Sequence, residues 1–159
     1  QEAVKGQKPF AVVVGCSDSR IPPEILFDQG IGDLFIIRVA GNIVDDVALG
    51  SVEYAVDHLG GELVVVLGHG ACGAVTATAS GGEAHGHIAN IVNLIVPAVE
   101  QAKGQEGDLI DNAIRANAHL VADRIRAAEP IMAKLVAEGK AKVVAAYYDI
   151  ASGVVSVLE

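Results

Sequence analysis

The sequence holds 159 residues, 52% of them hydrophobic and 19% charged, which is the size and balance of one folded domain and excludes a disordered chain. Its net charge of −9 disfavours nucleic acid and anionic membrane surfaces as partners, and no apolar run approaches the roughly 18 residues that span a bilayer. Two cysteines, Cys16 and Cys72, are too few for a disulfide scaffold, although one bridge between them satisfies the arithmetic.

In chain order, Ala11–Gly15 is a Val-rich run that stops at glycine and reads as a short buried strand. Pro22, Pro23 and Glu24 supply the first turn of a short helix to about Phe27, because proline at the first helical position gives up no hydrogen bond. Leu34–Val39 is a second strand. Val47–Leu59 has a helical period, and Gly60-Gly61 stops it. Leu63–Leu67 is a third strand, with Cys72–Ala79 a helix leaving it. His85-Gly86-His87 sits in a Gly-rich stretch and reads as a solvated loop ahead of a metal site. Ile88–Ala102 and Asp108–Ala128 carry apolar residues at three- and four-residue spacing, so each predicts a helix. Pro130 restarts a shorter helix that ends near Gly139. Ala141–Tyr147 is a fourth strand, and Val154–Leu158 pairs with it as a hairpin across Ala151-Ser152-Gly153.

Strands alternating with helices predict a single α/β domain over residues 1–159. Its centre is a mostly parallel sheet of about four strands plus a C-terminal fifth, with helices on both faces. With 18 glycines, no Trp, three Phe and three Tyr, its core falls to Val, Ile, Leu and Ala, which suits parallel strands buried on both sides. Ligands of such sheets bind outside the carboxyl ends of the strands. Cys16 and Asp18 directly follow the first strand, and His69 and Cys72 follow the third. Both groups therefore emerge on one edge.

Gly15-Cys16-Ser17-Asp18-Ser19-Arg20 and Gly68-His69-Gly70-Ala71-Cys72-Gly73 carry the chemistry. Two thiols and an imidazole match the ligand preference of zinc. A structural zinc takes four Cys or His ligands, and here a fourth of that type is missing, which leaves Asp18 or water. That open position is what a catalytic zinc needs. Two thiolates cancel the charge of the ion, so a bound water is acidified less than by neutral imidazoles and needs local help. Arg20 can hold the Asp18 carboxylate by a bidentate pair and keep it off the metal, where it orients the attacking hydroxide. Taken singly these residues have bland readings: a buried thiol, a helix cap, a surface ion pair. Together, at equivalent strand ends, they point to Zn2+ held by Cys16, His69 and Cys72. Gly68-x-Gly70-x-x-Gly73 also fits the spacing of a nucleotide-binding loop, but His69 and Cys72 inside it speak against that role.

The two motifs resemble the signature of the β-class carbonic anhydrases. The resemblance continues through Gly32–Asn42, Ser51–Val56 and Tyr148-Asp149-Ile150 with Gly153, and spans about residues 6–158. It implies reversible hydration of carbon dioxide to bicarbonate and a proton, with a zinc hydroxide as nucleophile. The zinc ligands of the family fall on Cys16, His69 and Cys72, and its gating Asp/Arg dyad on Asp18 and Arg20. A substrate-side Gln falls on Gln7, apolar pocket residues on Phe35 and Ala40, a Tyr on Tyr54, and a Gly whose N–H contacts substrate on Gly73. Members are dimers or larger, so self-association as a dimer or tetramer is expected, with Phe35 and Tyr54 serving a neighbouring subunit. Members also usually begin with helices that wrap a partner, an arm that does not precede Gln7 in this sequence. Gly70 and Ala71 stand where bulkier or polar residues are common, and the absence of Trp removes the inhibitory bicarbonate site of one subgroup. Two rival readings remain: hydrolysis of carbonyl sulfide or carbon disulfide at the same site, and a non-catalytic zinc-stabilised module. No signal peptide opens the sequence, so the expected compartment is the cytoplasm, or the periplasm if a leader precedes Gln1.

Overall fold

A computed structural model describes residues 2–159. Five strands form one sheet: β1 (Ala11–Gly15), β2 (Leu34–Arg38), β3 (Leu63–His69), β4 (Lys142–Asp149) and β5 (Val154–Val157). Their order is β2-β1-β3-β4-β5; all neighbours are parallel except β4 and β5, which form the expected antiparallel hairpin. The period of two along each strand sorts the side chains onto two faces. Val12, Val14, Val64, Val66, Val143 and Ala145 join the larger core on one face, while Val13, Leu67 and Ala146 are buried on the other. Each Val or Leu so buried contributes about 1.5–3 kcal/mol.

The helices are α1 (Pro23–Leu26), α2 (Asp46–Glu53), α3 (Gly73–Ser80), α4 (Ile88–Ala102), α5 (Leu109–Arg126) and α6 (Met132–Ala137). Carboxylates cap two of them: Asp45 accepts from the Ala48 amide at the start of α2, and Asp108 from the Asp111 amide at the start of α5, each at 2.8 Å. Helix α5 buries Ala113, Ile114, Asn117, Ala118, Val121 and Ile125, a stripe at helical spacing, against β3 and β4. Helices α3 and α4 pack on α5 in turn and enclose a second core cluster that includes Cys16, Cys72, Ile95 and Ile114. Among the described residues, Leu26 and Phe27 of the α1 region are what packs on the buried side chains of the opposite sheet face, so the helical cover is unequal on the two sides.

Several boundaries shift by a residue or two from the sequence expectation, β4 ending at Asp149 among them, and two differences bear on the site and its surroundings. The helix expected over 47–59 is α-helical to Glu53 and then widens into a π-helical turn, Tyr54–His58, before Gly60 reverses the chain at φ 75°. β3 runs two residues beyond Leu67 and carries His69 on the strand itself, paired with Tyr148. No helix among the described residues is long and apolar enough to cross a membrane.

Candidate metal centre

Parallel pairing sets the site. Gly15 is level with Leu67 across β1 and β3 and with Arg38 across β1 and β2, so Cys16 leaves β1 beside Gly68, one residue short of His69. Cys72 ends the following loop and α3 begins at the next residue. The Cys16 sulfur, a His69 ring nitrogen and the Cys72 sulfur all lie within 4.8 Å of one another. All three residues are buried, and both cysteines are free thiols. Two loops 56 positions apart in sequence thus converge on one point.

The state of His69 follows from its contacts. Its Nδ1 is 2.9 Å from the Gly70 carbonyl oxygen, which can only accept, so Nδ1 carries a proton and the tautomer that fits a metal, with its lone pair at Nε2, is the one the contact selects. Nε2 is buried and has no hydrogen-bond partner. A buried orphan nitrogen beside two sulfurs is costly unless something binds there, and the donor set is that of a metal site. The thiols titrate together. Cys16 is held down to about 4, chiefly by the neighbouring Cys72 side chain, with His69 and the Gly41 amide adding to it. Cys72 is pushed up, chiefly by the Cys16 side chain beside it, and by burial. A dication between the sulfurs would remove the conflict and allow both to be thiolates.

Asp18 stands just outside this group. Arg20 grips it with Nε to Oδ1 at 2.9 Å and Nη2 to Oδ2 at 2.7 Å, and its backbone N–H donates to Oδ1 at 3.0 Å. Nη2 also reaches the Ala71 carbonyl at 3.2 Å and so ties the first loop to the second. These bonds hold the Asp18 carboxyl well below its usual range, so it is an anion at any physiological pH. Its Oδ2 is 4.0 Å from His69 Nε2. Gly73, exposed at the first position of α3, directly follows Cys72, and Ala40, in the turn after β2, directly precedes Gly41, whose amide meets the Cys16 sulfur.

Known proteins resemble this chain in sequence and in fold. A family model described as carbonic anhydrase matches residues 11–155. Carbonic anhydrase 2 of Mycobacterium tuberculosis is 37% identical over 152 residues, covering 93% of this chain and 73% of the relative. The carbonic anhydrase of Mycolicibacterium smegmatis is 38% identical over 153 residues, 94% of this chain and 74% of the relative. A tetrameric β-carbonic anhydrase of the filamentous ascomycete Sordaria macrospora superposes with a TM-score of 0.89 at 26% identity, covering 99% of this chain and 84% of that one. The chain belongs to the β-carbonic anhydrase enzyme family.

Within this β-carbonic anhydrase fold, three of the residues expected near substrate are not brought to the metal group of their own chain. Gln7 is exposed ahead of β1, beside Ile31–Asp33, at the amino edge of the sheet. Phe35 pairs with Val12, which puts it four residues, roughly 13 Å, back along the strands from Cys16. Tyr54 packs its ring against Phe35 with centroids 6.3 Å apart and is 47% exposed. The exposed pair of His85 and His87 joins no metal-ligating group among the described residues.

Two contributors were not singled out from the sequence. Arg38 donates from Nε to the Cys16 carbonyl at 2.8 Å and from Nη2 to the Asp18 carbonyl at 2.5 Å, clamping the loop that carries both side chains. Gly41 donates its amide to the Cys16 sulfur at 3.1 Å. A charge closing an otherwise apolar strand was the available signal for Arg38; nothing in the pattern marked Gly41.

Proposed function

We propose that Cys16, His69 and Cys72 hold one zinc ion and that the chain catalyses the reversible hydration of carbon dioxide to bicarbonate and a proton. The observation that carries this reading is the buried convergence of two thiols with an unpartnered imidazole nitrogen, next to a carboxylate that arginine keeps outside the group. Zinc bound there would act as a Lewis acid that makes a water in its open position nucleophilic at neutral pH. Asp18, ionised and fixed by Arg20 with Oδ2 4.0 Å from His69 Nε2, would accept a hydrogen bond from a water held there and orient it. Arg20 works through Asp18, restraining the carboxylate from taking the fourth place. The backbone N–H of Gly73 is open to an anionic product, and a carbon dioxide molecule needs an apolar wall beside it. In one chain Ala40 supplies part of that wall, while Phe35 and Tyr54 are suited to serve the site of a second copy. Self-association as a dimer or tetramer is therefore part of the reading, in keeping with the tetrameric relative from Sordaria macrospora. The thinly covered sheet face, with Phe10 57% exposed beside Leu34 and Val65, offers apolar surface for it.

The test is metal analysis paired with carbon dioxide hydration, run with carbonyl sulfide and carbon disulfide hydrolysis on the same preparation. Wild type is expected to carry about one zinc per chain and to hydrate carbon dioxide, and Asp18→Asn to keep the zinc while losing roughly 10²-fold in rate. Hydrolysis of the sulfur substrates alone would assign the site to that chemistry. Zinc with no activity in any assay would make the chain a zinc-stabilised module.

A further inference from the structure

Building on Cys16, His69 and Cys72 as the zinc ligands, we propose that Asn117 is a positioning residue of the metal centre, fixing the turn whose amide donates to the Cys16 sulfur. The turn spans Ala40–Asn42 and contains two consecutive residues in the left-handed region, Gly41 at φ 71° and Asn42 at φ 44°. Such a pair is not a resting conformation for a chain and must be held by its surroundings. Three contacts hold it. The Asn42 amide donates to the Val39 carbonyl at 2.9 Å, closing the turn. The missing side chain of Gly41 leaves room for Ile95 and Ala74: a Cβ there would stand 2.6 Å from Ile95 Cδ1 and 3.2 Å from Ala74 Cβ. The third contact comes from far away in sequence, where Asn117 Nδ2 donates to the Gly41 carbonyl at 2.7 Å.

Asn117 is 1% exposed, in the middle of α5 between two residues that pack on the other half of the site. Ile114 and Ala118 press on Gly68, where an added Cβ would meet their side chains at 3.3 and 3.5 Å, directly before His69. One helix face thus sets the strand end that carries the imidazole and, through Asn117, the turn that donates to the thiolate. With Asn117 truncated, the buried Gly41 carbonyl loses its partner, and the Gly41–Asn42 peptide no longer fixes the Gly41 torsions that aim the preceding N–H at Cys16. Hydrogen bonds from amides to a metal-bound sulfur disperse its charge, and losing such outer partners typically weakens metal affinity 10–100-fold. Asn117 acts one bond further out, so the lower end, about tenfold, is expected.

The experiment loads wild type, Asn117→Ala and Ile125→Ala with cobalt(II), measures affinity by chelator competition and records the thiolate-to-cobalt charge-transfer band. Ile125 is fully buried on the same helix, about 12 Å further along, and reports what destabilising α5 does by itself. The proposal expects about tenfold weaker binding and a shifted band in Asn117→Ala, with both unchanged in Ile125→Ala. Asn117→Ala binding like wild type with an unaltered band overturns it, as does an equal loss of affinity in Ile125→Ala. A wild type that takes up no cobalt through thiolates would instead overturn the ligand assignment itself. If Asn117→Ala does not fold, the wild type decides: the Asn117 side-chain amide resonances should move when zinc is added, and resonances that stay put refute the link.

Discussion

Replacing Arg20 with Ala tests the gating role of the Asp18–Arg20 pair. In the native arrangement Asp18 Oδ2 is 4.0 Å from His69 Nε2 and is held there by two side-chain hydrogen bonds from Arg20. An oxygen and a nitrogen that share a tetrahedral zinc, each bonded at about 2.0–2.1 Å, stand about 3.3 Å apart. The separation therefore exceeds that spacing by about 0.7 Å, a difference within the reach of a side-chain rotation once the guanidinium is gone. Arg20→Ala removes both side-chain bonds and leaves only the backbone amide on Oδ1. The carboxylate is then expected to close onto the metal. Zinc should be retained, and binding should tighten as a fourth ligand is added. Stopped-flow carbon dioxide hydration should fall by roughly 10²-fold or more, the loss typical of removing a positioned catalytic group. Zinc content by elemental analysis and a crystal structure of the variant complete the assay. An Arg20→Ala enzyme with full zinc, near-native hydration and Asp18 still off the metal would refute the reasoning.

Arg38→Ala removes the clamp on the Cys16 and Asp18 carbonyls and should cost about tenfold in zinc affinity, measured by chelator competition, whereas Arg38→Lys, unable to bridge both, should recover only part of it. At Gly70 an added Cβ would stand 2.9 Å from the Tyr147 hydroxyl, and the tyrosine ring is itself backed by Arg115 at 3.9 Å. Gly70→Ala should therefore destabilise the fold by about 1–3 kcal/mol in urea unfolding, and Gly70→Ala with Tyr147→Phe should recover much of it; no rescue would show that the hydroxyl is not the obstacle. Because Arg20 lowers the Asp18 pKa from an ordinary 3.8, the pair stabilises the fold above that value and the contribution fades as pH falls below it. The gap in melting temperature between wild type and Arg20→Ala, measured with chelator so that metal release plays no part, should be present at pH 6 and shrink by pH 3; a gap that does not change with pH would contradict the shift.

How far the sequence disclosed this molecule depended on the kind of contact. Ala11–Gly15 and Ile88–Ala102 fall where the patterns put them, because a Val run closed by glycine and an apolar stripe at helical spacing are local signals. The parallel sheet, its hairpin and the carboxyl-edge site follow from the alternation of elements, and that rule brought Cys16, Asp18, His69 and Cys72 to one place. The π-helical turn at Tyr54 was hidden, since widening a helix by one residue leaves its hydrophobic period almost unchanged. The roles of Arg38 and Gly41 were hidden for another reason. They act through backbone carbonyls and an amide across strand register, and register is a property of the assembled sheet. Gln7, Phe35 and Tyr54 were assigned by resemblance alone, and a single chain leaves them at a distance from the metal group.

The most direct measurement of the central claim is zinc-edge X-ray absorption on the purified, zinc-loaded enzyme at the pH of the hydration assay. Two sulfur neighbours at about 2.3 Å and two lighter ones at about 2.0–2.1 Å, one a nitrogen with imidazole scattering and the other an exchangeable oxygen, is the expected shell. The oxygen should respond to a small anion that inhibits hydration, while the sulfurs should not. A shell without sulfur, a closed one that no anion perturbs, or a protein whose Cys16 and Cys72 are joined to each other would contradict the account.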